Sequence, residues 1–231
     1  MAHGRHGDTL ILWILPSSAP FALLLVYYST VMAIAGADFA IIGGDTRLSD
    51  GGYSIHTRDS TKIHKLTDHC VIGSSGQQSE RCYLWKNLDT SVAEYQFENN
   101  KEISAKAIAQ MLSNTLYYRR FFPIYTFNIL AGVHDGKGCV WGYDAIGSYE
   151  LNPYCVTGTG SALITSILDN QVEFKTQRKN FKQLSLEETL TLFKDAFICA
   201  GERDIYTGDR VEYAIITKDG VQFGEFNLRK D

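Results

Sequence analysis

Ser29, Asp45 and Lys62 are the residues whose types and spacing could do chemistry. The run Ser29-Thr30-Val31-Met32-Ala33-Ile34-Ala35-Gly36-Ala37-Asp38-Phe39-Ala40-Ile41-Ile42-Gly43-Gly44-Asp45-Thr46-Arg47 starts on a hydroxyl and returns to an acid. A serine at the head of a mature chain can attack an amide with its side chain while its own α-amino group takes the proton. An unperturbed α-amino pKa of about 7.7–8.0 suits a base at neutral pH. Lys62 beside that amine would lower its pKa by charge repulsion, and Asp45 would hold Lys62 charged. The backbone N–H of Gly76 could bind an oxyanion, since glycine lets the chain come close. Asp204 and Thr207 would complete the hydrogen bonds around the amine. The competing reading is an ordinary hairpin with a charged exit turn, a solvated lysine, a turn glycine and a loop that caps a helix.

These residues need elements to position them. Two apolar runs, 30–35 and 39–43, flank Gly36-Ala37-Asp38 and read as a β-hairpin. Residues 46–61 are polar and turn-rich, and Cys70 to Ser74 is a strand. Leu84, Leu88, Val92 and Tyr95 form the stripe of an amphipathic helix over 79–97. Ser104 caps a second helix with Ile108, Met111, Leu112 and Leu116 on its apolar face. Strands over 124–133 and 139–143 are joined through His134-Asp135-Gly136-Lys137, with Asp-Gly at the centre of the hairpin. A strand over 153–157 leads through Gly158-Thr159-Gly160-Ser161 into a short helix ending at Leu168. Residues 171–183 read as a polar surface insertion. Ser185-Leu186-Glu187-Glu188 is a capping box for a helix with Leu186, Leu190, Phe193 and Phe197 on one face. A polar loop, Arg203 to Gly208, precedes strands 211–217 and 221–227 around a second Asp-Gly hairpin, Lys218-Asp219-Gly220. Helices paired between antiparallel hairpins argue for an α+β fold, two stacked sheets with a helix pair on each outer side, in one domain after residue 28.

Composition narrows the functions. An apolar content of 45% and a charged content of 21% over 231 residues are those of a folded chain. A net charge of −4 without a basic stripe excludes a general nucleic-acid binder. Cys70, Cys82, Cys139, Cys155 and Cys199 are odd in number and widely spaced, which points to reduced, buried thiols rather than a disulfide framework or zinc site. No cofactor pattern is present.

Residues 1–28 form a leader. Leu10 to Tyr28 resembles a signal peptide, but Pro16, Pro20 and Ser17-Ser18 break it into halves of about six and eight residues, where a membrane span needs about 20. A propeptide ending where the folded domain begins is the preferred reading. The cysteines and the broken leader together place the chain in the cytoplasm and nucleus.

The order and spacing also resemble the beta subunits of the proteasome core particle, a family of N-terminal nucleophile hydrolase fold, over essentially all of residues 29–231. The residues that carry the resemblance are Leu48 to Ser60, Tyr117-Tyr118-Arg119-Arg120-Phe121-Phe122-Pro123, Ile146-Gly147-Ser148-Tyr149, Leu168 to Lys175, Glu202 to Asp209 and Leu228-Arg229-Lys230-Asp231. More narrowly, they resemble the non-catalytic member at the sixth beta position. The resemblance implies a four-layer αββα sandwich and a place among other alpha and beta subunits in stacked seven-membered rings. It also implies a role in ATP- and ubiquitin-dependent protein degradation, without cofactor, nucleic acid or membrane.

In active relatives threonine stands at the place of Ser29 and glycine at that of Tyr28. Asp45, Lys62, Gly76 and Asp204 match the active pattern, and Thr159 and Thr207 stand where active relatives usually carry serine. One extra residue near Gly51-Gly52 separates Asp45 from Lys62. The departures fall on the two positions that self-cleavage needs. The resemblance therefore implies a structural subunit in which Ser29, Asp45, Lys62, Gly76, Thr159, Asp204 and Thr207 are vestigial. The alternative is an active peptidase with Ser29 as nucleophile; a secreted or membrane-anchored protein is third.

Overall fold

The computed structural model describes residues 29–50, 52–175, 177 and 183–230. In chain order the strands and helices are β1 (Thr30–Ala35), β2 (Ala40–Asp45), β3 (Leu48–Ser49), β4 (Ile55–Thr57), β5 (Ile63–Thr67), β6 (Cys70–Gly76), α1 (Gln78–Asn99) and α2 (Ala105–Tyr118). They continue with β7 (Thr126–His134), β8 (Lys137–Tyr143), β9 (Tyr149–Asn152), β10 (Tyr154–Gly158), α3 (Ser161–Gln171), α4 (Leu186–Arg203), β11 (Arg210–Thr217) and β12 (Gly220–Asn227). One five-stranded sheet runs β10-β1-β2-β11-β12, a second runs β5-β6-β7-β8-β9, and β3 pairs with β4. The pairings are antiparallel. The chain is an α+β protein.

Strand β1 shows why the first apolar run is continuous rather than alternating. Successive side chains point to opposite faces of a sheet. Val31 and Ala33 join a core with Val71, Ile129 and Val140 of the second sheet. Met32 and Ile34 go the other way, to Ile164 and Leu168 of α3 and Phe193 and Phe197 of α4. Both faces are buried, so every position from Val31 to Ile34 is apolar. A third core joins Ile72, Leu130 and Trp141 to Leu84 and Leu88 of α1 and Ile108, Leu112 and Leu116 of α2. Each such side chain contributes about 1.5–3 kcal/mol on burial.

The helix starts match their sequence signals. Ser104 Oγ accepts the Ala107 N–H at 3.3 Å. Ser185 and Glu188 exchange both hydrogen bonds of the capping box. The helix stripes are core faces, with Tyr95 and Met111 only partly buried at their margins.

Several expectations are corrected. Strands β5 and β9 carry no clear signal and were not expected; both are edge strands with partly exposed residues. The two hairpins differ in register. His134 pairs with Lys137, leaving Asp135 (φ 51°) and Gly136 (φ 73°) at the centre of the expected Asp-Gly turn. Thr217 instead pairs with Gly220, so the second turn centres on Lys218-Asp219. The five thiols are free, yet Cys82 and Cys199 are exposed rather than buried, because each faces outward on its helix. After β12, Leu228 packs against the α3–α4 core and donates its N–H to the Asp209 carbonyl, while Arg229 and Lys230 are exposed. The leader up to Tyr28, residues 176 and 178–182 of the 171–183 stretch, and Asp231 lie outside the described residues.

Candidate functional site

The first hairpin sets the site. Because β2 runs back along β1 with Val31 opposite Gly44, Asp45 arrives beside Thr30. Asp45 Oδ1 accepts the Thr30 N–H at 2.8 Å. Its Oδ2 accepts more distantly from the Arg47 N–H (3.3 Å) and the Gly208 N–H (3.4 Å). Lys62, just before β5, reaches in with its Nζ. It donates to Asp45 O at 2.6 Å, Asp45 Oδ1 at 3.0 Å and Arg47 O at 2.6 Å. Both side chains are fully buried. Burial pushes the Lys62 ammonium down to about 8, with the Asp45 charge pulling the other way. Burial also raises the Asp45 carboxyl, against Lys62 and the backbone N–H groups of Thr30 and Gly208.

An ammonium has three N–H donors and no acceptor. Lys62 has all three engaged by Asp45 and Arg47. Ser29 Oγ is also buried and has no hydrogen-bond partner among the described residues. Ser29 is held instead through its backbone, its carbonyl accepting the Thr159 N–H at 3.1 Å.

A second network centres on Thr30. Asp204 Oδ2 accepts from Thr207 Oγ1 at 2.7 Å and from Thr159 Oγ1 at 2.6 Å. With the Thr207 proton directed to Asp204, the 2.7 Å bond between Thr30 Oγ1 and Thr207 Oγ1 has Thr30 as donor. Thr30 Oγ1 in turn accepts the Gly160 N–H at 3.0 Å. The loop holding Asp204 and Thr207 is anchored from β2's exit. Arg47 Nε donates to Asp209 Oδ2 at 2.9 Å and Arg47 Nη1 to Ile205 O at 2.8 Å.

Asp45, Lys62, Thr159, Asp204 and Thr207 are thus gathered around the Ser29-Thr30 dipeptide. Gly76 stands outside the network, at the end of β6, where its backbone pairs with Thr126. It adopts φ +102°, and a Cβ there would run into the Tyr125 carbonyl oxygen, so glycine is required whatever its N–H does. Thr30, Arg47, Gly160 and Asp209 were not anticipated. Two adjacent hydroxyls at the head of a strand were the available signal for Thr30: alternation forces them apart, so only one can enter a given network. Among the described residues, no cluster of His, Cys, Asp and Glu is arranged to hold a metal, and no helix is long and apolar enough to cross a membrane.

A hydroxyl, an acid and a lysine thus stand near the head of β1, with the lysine's donors turned to the Asp45 carboxylate and two backbone carbonyls. The sequence model of the family described as "Proteasome subunit" matches residues 28–216. Proteasome subunit beta type-1 of Oryza sativa subsp. japonica is 50% identical over 208 residues, covering 87% of this chain and 94% of the relative. That of Dictyostelium discoideum is 47% identical over 205 residues, 87% of each. Proteasome subunit beta type-6 of Saccharomyces cerevisiae is 40% identical over 214 residues, 87% of this chain and 88% of the relative. With the match running from the head of β1 through β11, the chain belongs to the proteasome subunit family.

Proposed function

We propose that this chain is a non-catalytic structural beta subunit of the proteasome core particle, helping to wall a proteolytic chamber without cutting peptides itself. The observation that carries the reading is the buried Ser29 Oγ, which has no hydrogen-bond partner among the described residues and so no base in reach. A hydroxyl nucleophile needs a base within hydrogen-bond reach. Here the acid and lysine join β2's exit to the chain before β5, a structural use of inherited parts. The three cores support an αββα layer order, helix pair, sheet, sheet, helix pair, over a domain from residue 29 onward. Residues 1–28 are a leader on this reading, and the protein works in the cytoplasm and nucleus in ATP- and ubiquitin-dependent degradation. It sits there in stacked seven-membered rings with other alpha and beta subunits, away from nucleic acid and membrane.

The test is a Ser29→Ala substitution in the assembled particle. Every peptidase activity is expected to stay unchanged, and an inhibitor that needs both a hydroxyl and a free α-amine should leave the chain unmodified. A mature chain beginning at Ser29 and carrying a covalent adduct there would instead make it an active peptidase.

A further inference from the structure

Arg81, in the first turn of α1, is among the largest side chains sealed inside the protein, at 2% exposure. An arginine cannot shed its proton to escape burial as a lysine can, so its charge stays inside the fold. Its hydrogen bonds do not meet that charge. Nη2 donates to Ser60 Oγ at 3.0 Å, while Nε and Nη1 have no partner among the described residues. The Trp85 ring lies 5.3 Å from the guanidinium carbon, a cation–π contact that supplies no acceptor atom to either nitrogen. Glu80, the neighbouring acid, is turned to the Tyr125 N–H instead. Burial pulls the guanidinium below its ordinary value.

The charges around it do not make up the deficit. Among the described residues the buried charged side chains are Arg47, Lys62 and Arg81 against Asp45 and Asp209, one positive charge in excess. Asp209 is engaged by Arg47 and by the half-exposed Arg58, and Asp45 by Lys62. The excess therefore falls on Arg81. Arg81 is also close enough to Lys62 that its charge adds to burial in pushing that ammonium down to about 8, with the Asp45 charge acting against both. A buried charge met only by a neutral hydroxyl and a ring is costly, and folded proteins set an opposite charge against it.

We propose that Arg81 and Ser60 form a binding site for one small monovalent anion of the halide class. The anion accepts from the unpartnered guanidinium N–H groups and from the Ser60 hydroxyl, which accepts from Arg81 and keeps its own proton to donate. One negative charge balances the buried set. Water brings none, phosphate brings more than the site lacks, and a carboxylate carried on another chain does not reach a side chain this deeply enclosed. The ion ties the first turn of α1 to the stretch that leads into Lys62.

The full-length protein, purified with whatever it assembles with, would be crystallised, soaked in sodium bromide and measured at the bromine absorption edge. The expected result is anomalous density at hydrogen-bonding distance from the Arg81 guanidinium and Ser60 Oγ. The same density should be lost in Arg81→Met, which removes the charge and keeps much of the volume. Density there without anomalous signal, whether water or a carboxylate of any chain, would overturn the proposal, and so would no density at all. The wild-type crystal decides this even if the variant fails to fold. In solution, thermal unfolding of the dialysed wild type should shift upward by a few degrees as chloride replaces the bulkier gluconate at constant ionic strength. Ser60→Ala should reduce that shift. Equal unfolding in the two salts would count against a site for a small anion and overturn the assignment.

Discussion

Lys62 Nζ lies 3.0 Å from Asp45 Oδ1 with both side chains sealed from solvent, and its two other donors go to backbone carbonyls. The pair joins two stretches of chain that would otherwise leave a strand end unsupported. Removing one partner strands a buried charge, which costs about 3–5 kcal/mol. Lys62→Met and Asp45→Asn should each lower the urea midpoint accordingly. The double variant should lose well under the sum, and additive losses would show that the two do not act as a unit.

The same pair makes stability depend on pH. The folded Lys62, at about 8, sits below the roughly 10.4 of an unfolded lysine, so between those values the unfolded chain holds more protons. Stability should therefore rise with pH across that window. The Asp45 carboxyl shifts upward, so its contribution is present below its ordinary value near 3.9 and is lost as pH rises through the raised one. Comparing wild type with Lys62→Met from pH 8 to 10.4 cancels the titrating groups that do not touch Lys62. A flat difference would contradict the buried position of Lys62.

Adjacent hydroxyls should behave oppositely. Ser29→Ala removes a buried hydroxyl with no partner and should leave stability within about 0.5 kcal/mol of wild type, or raise it. Thr30→Val keeps the shape but orphans the Gly160 N–H and removes the donor to the Thr207 oxygen, and should cost about 1–3 kcal/mol. Thermal unfolding of the two variants side by side reads the contrast. Equal effects would mean that the Thr30 network contributes nothing particular.

Gly76→Ala places a Cβ at a positive φ and against the Tyr125 carbonyl. The backbone alone costs about 1–2 kcal/mol, and the overlap adds to it. Denaturant unfolding should show at least that loss, independent of any peptidase assay. A neutral substitution would mean that β6 and β7 part easily at this end.

Local structure was legible wherever a pattern repeats along the chain. The helix stripes at Leu84 and Ile108, the Ser185–Glu188 capping box, the Asp135-Gly136 turn and the first hairpin follow from periods of 3.6 and 2 and from glycine's freedom at positive φ. Strands β5 and β9 were not legible, because an edge strand shows little of either period, and the register around Lys218-Asp219 is decided by pairing rather than by the residues in the turn. The sequence by itself also returned Asp45 to the start of β1, as a hairpin must, and offered Lys62 as a candidate partner. Only the tertiary structure decided what they do. Which of Ser29 and Thr30 enters the Asp204 network depends on how β1 sits between its neighbours, β10 and β2. Whether Lys62 has a donor left for Ser29 depends on three acceptors converging from residues 45 and 47. Those are matters of orientation between distant segments, and a one-dimensional spacing carries no record of direction.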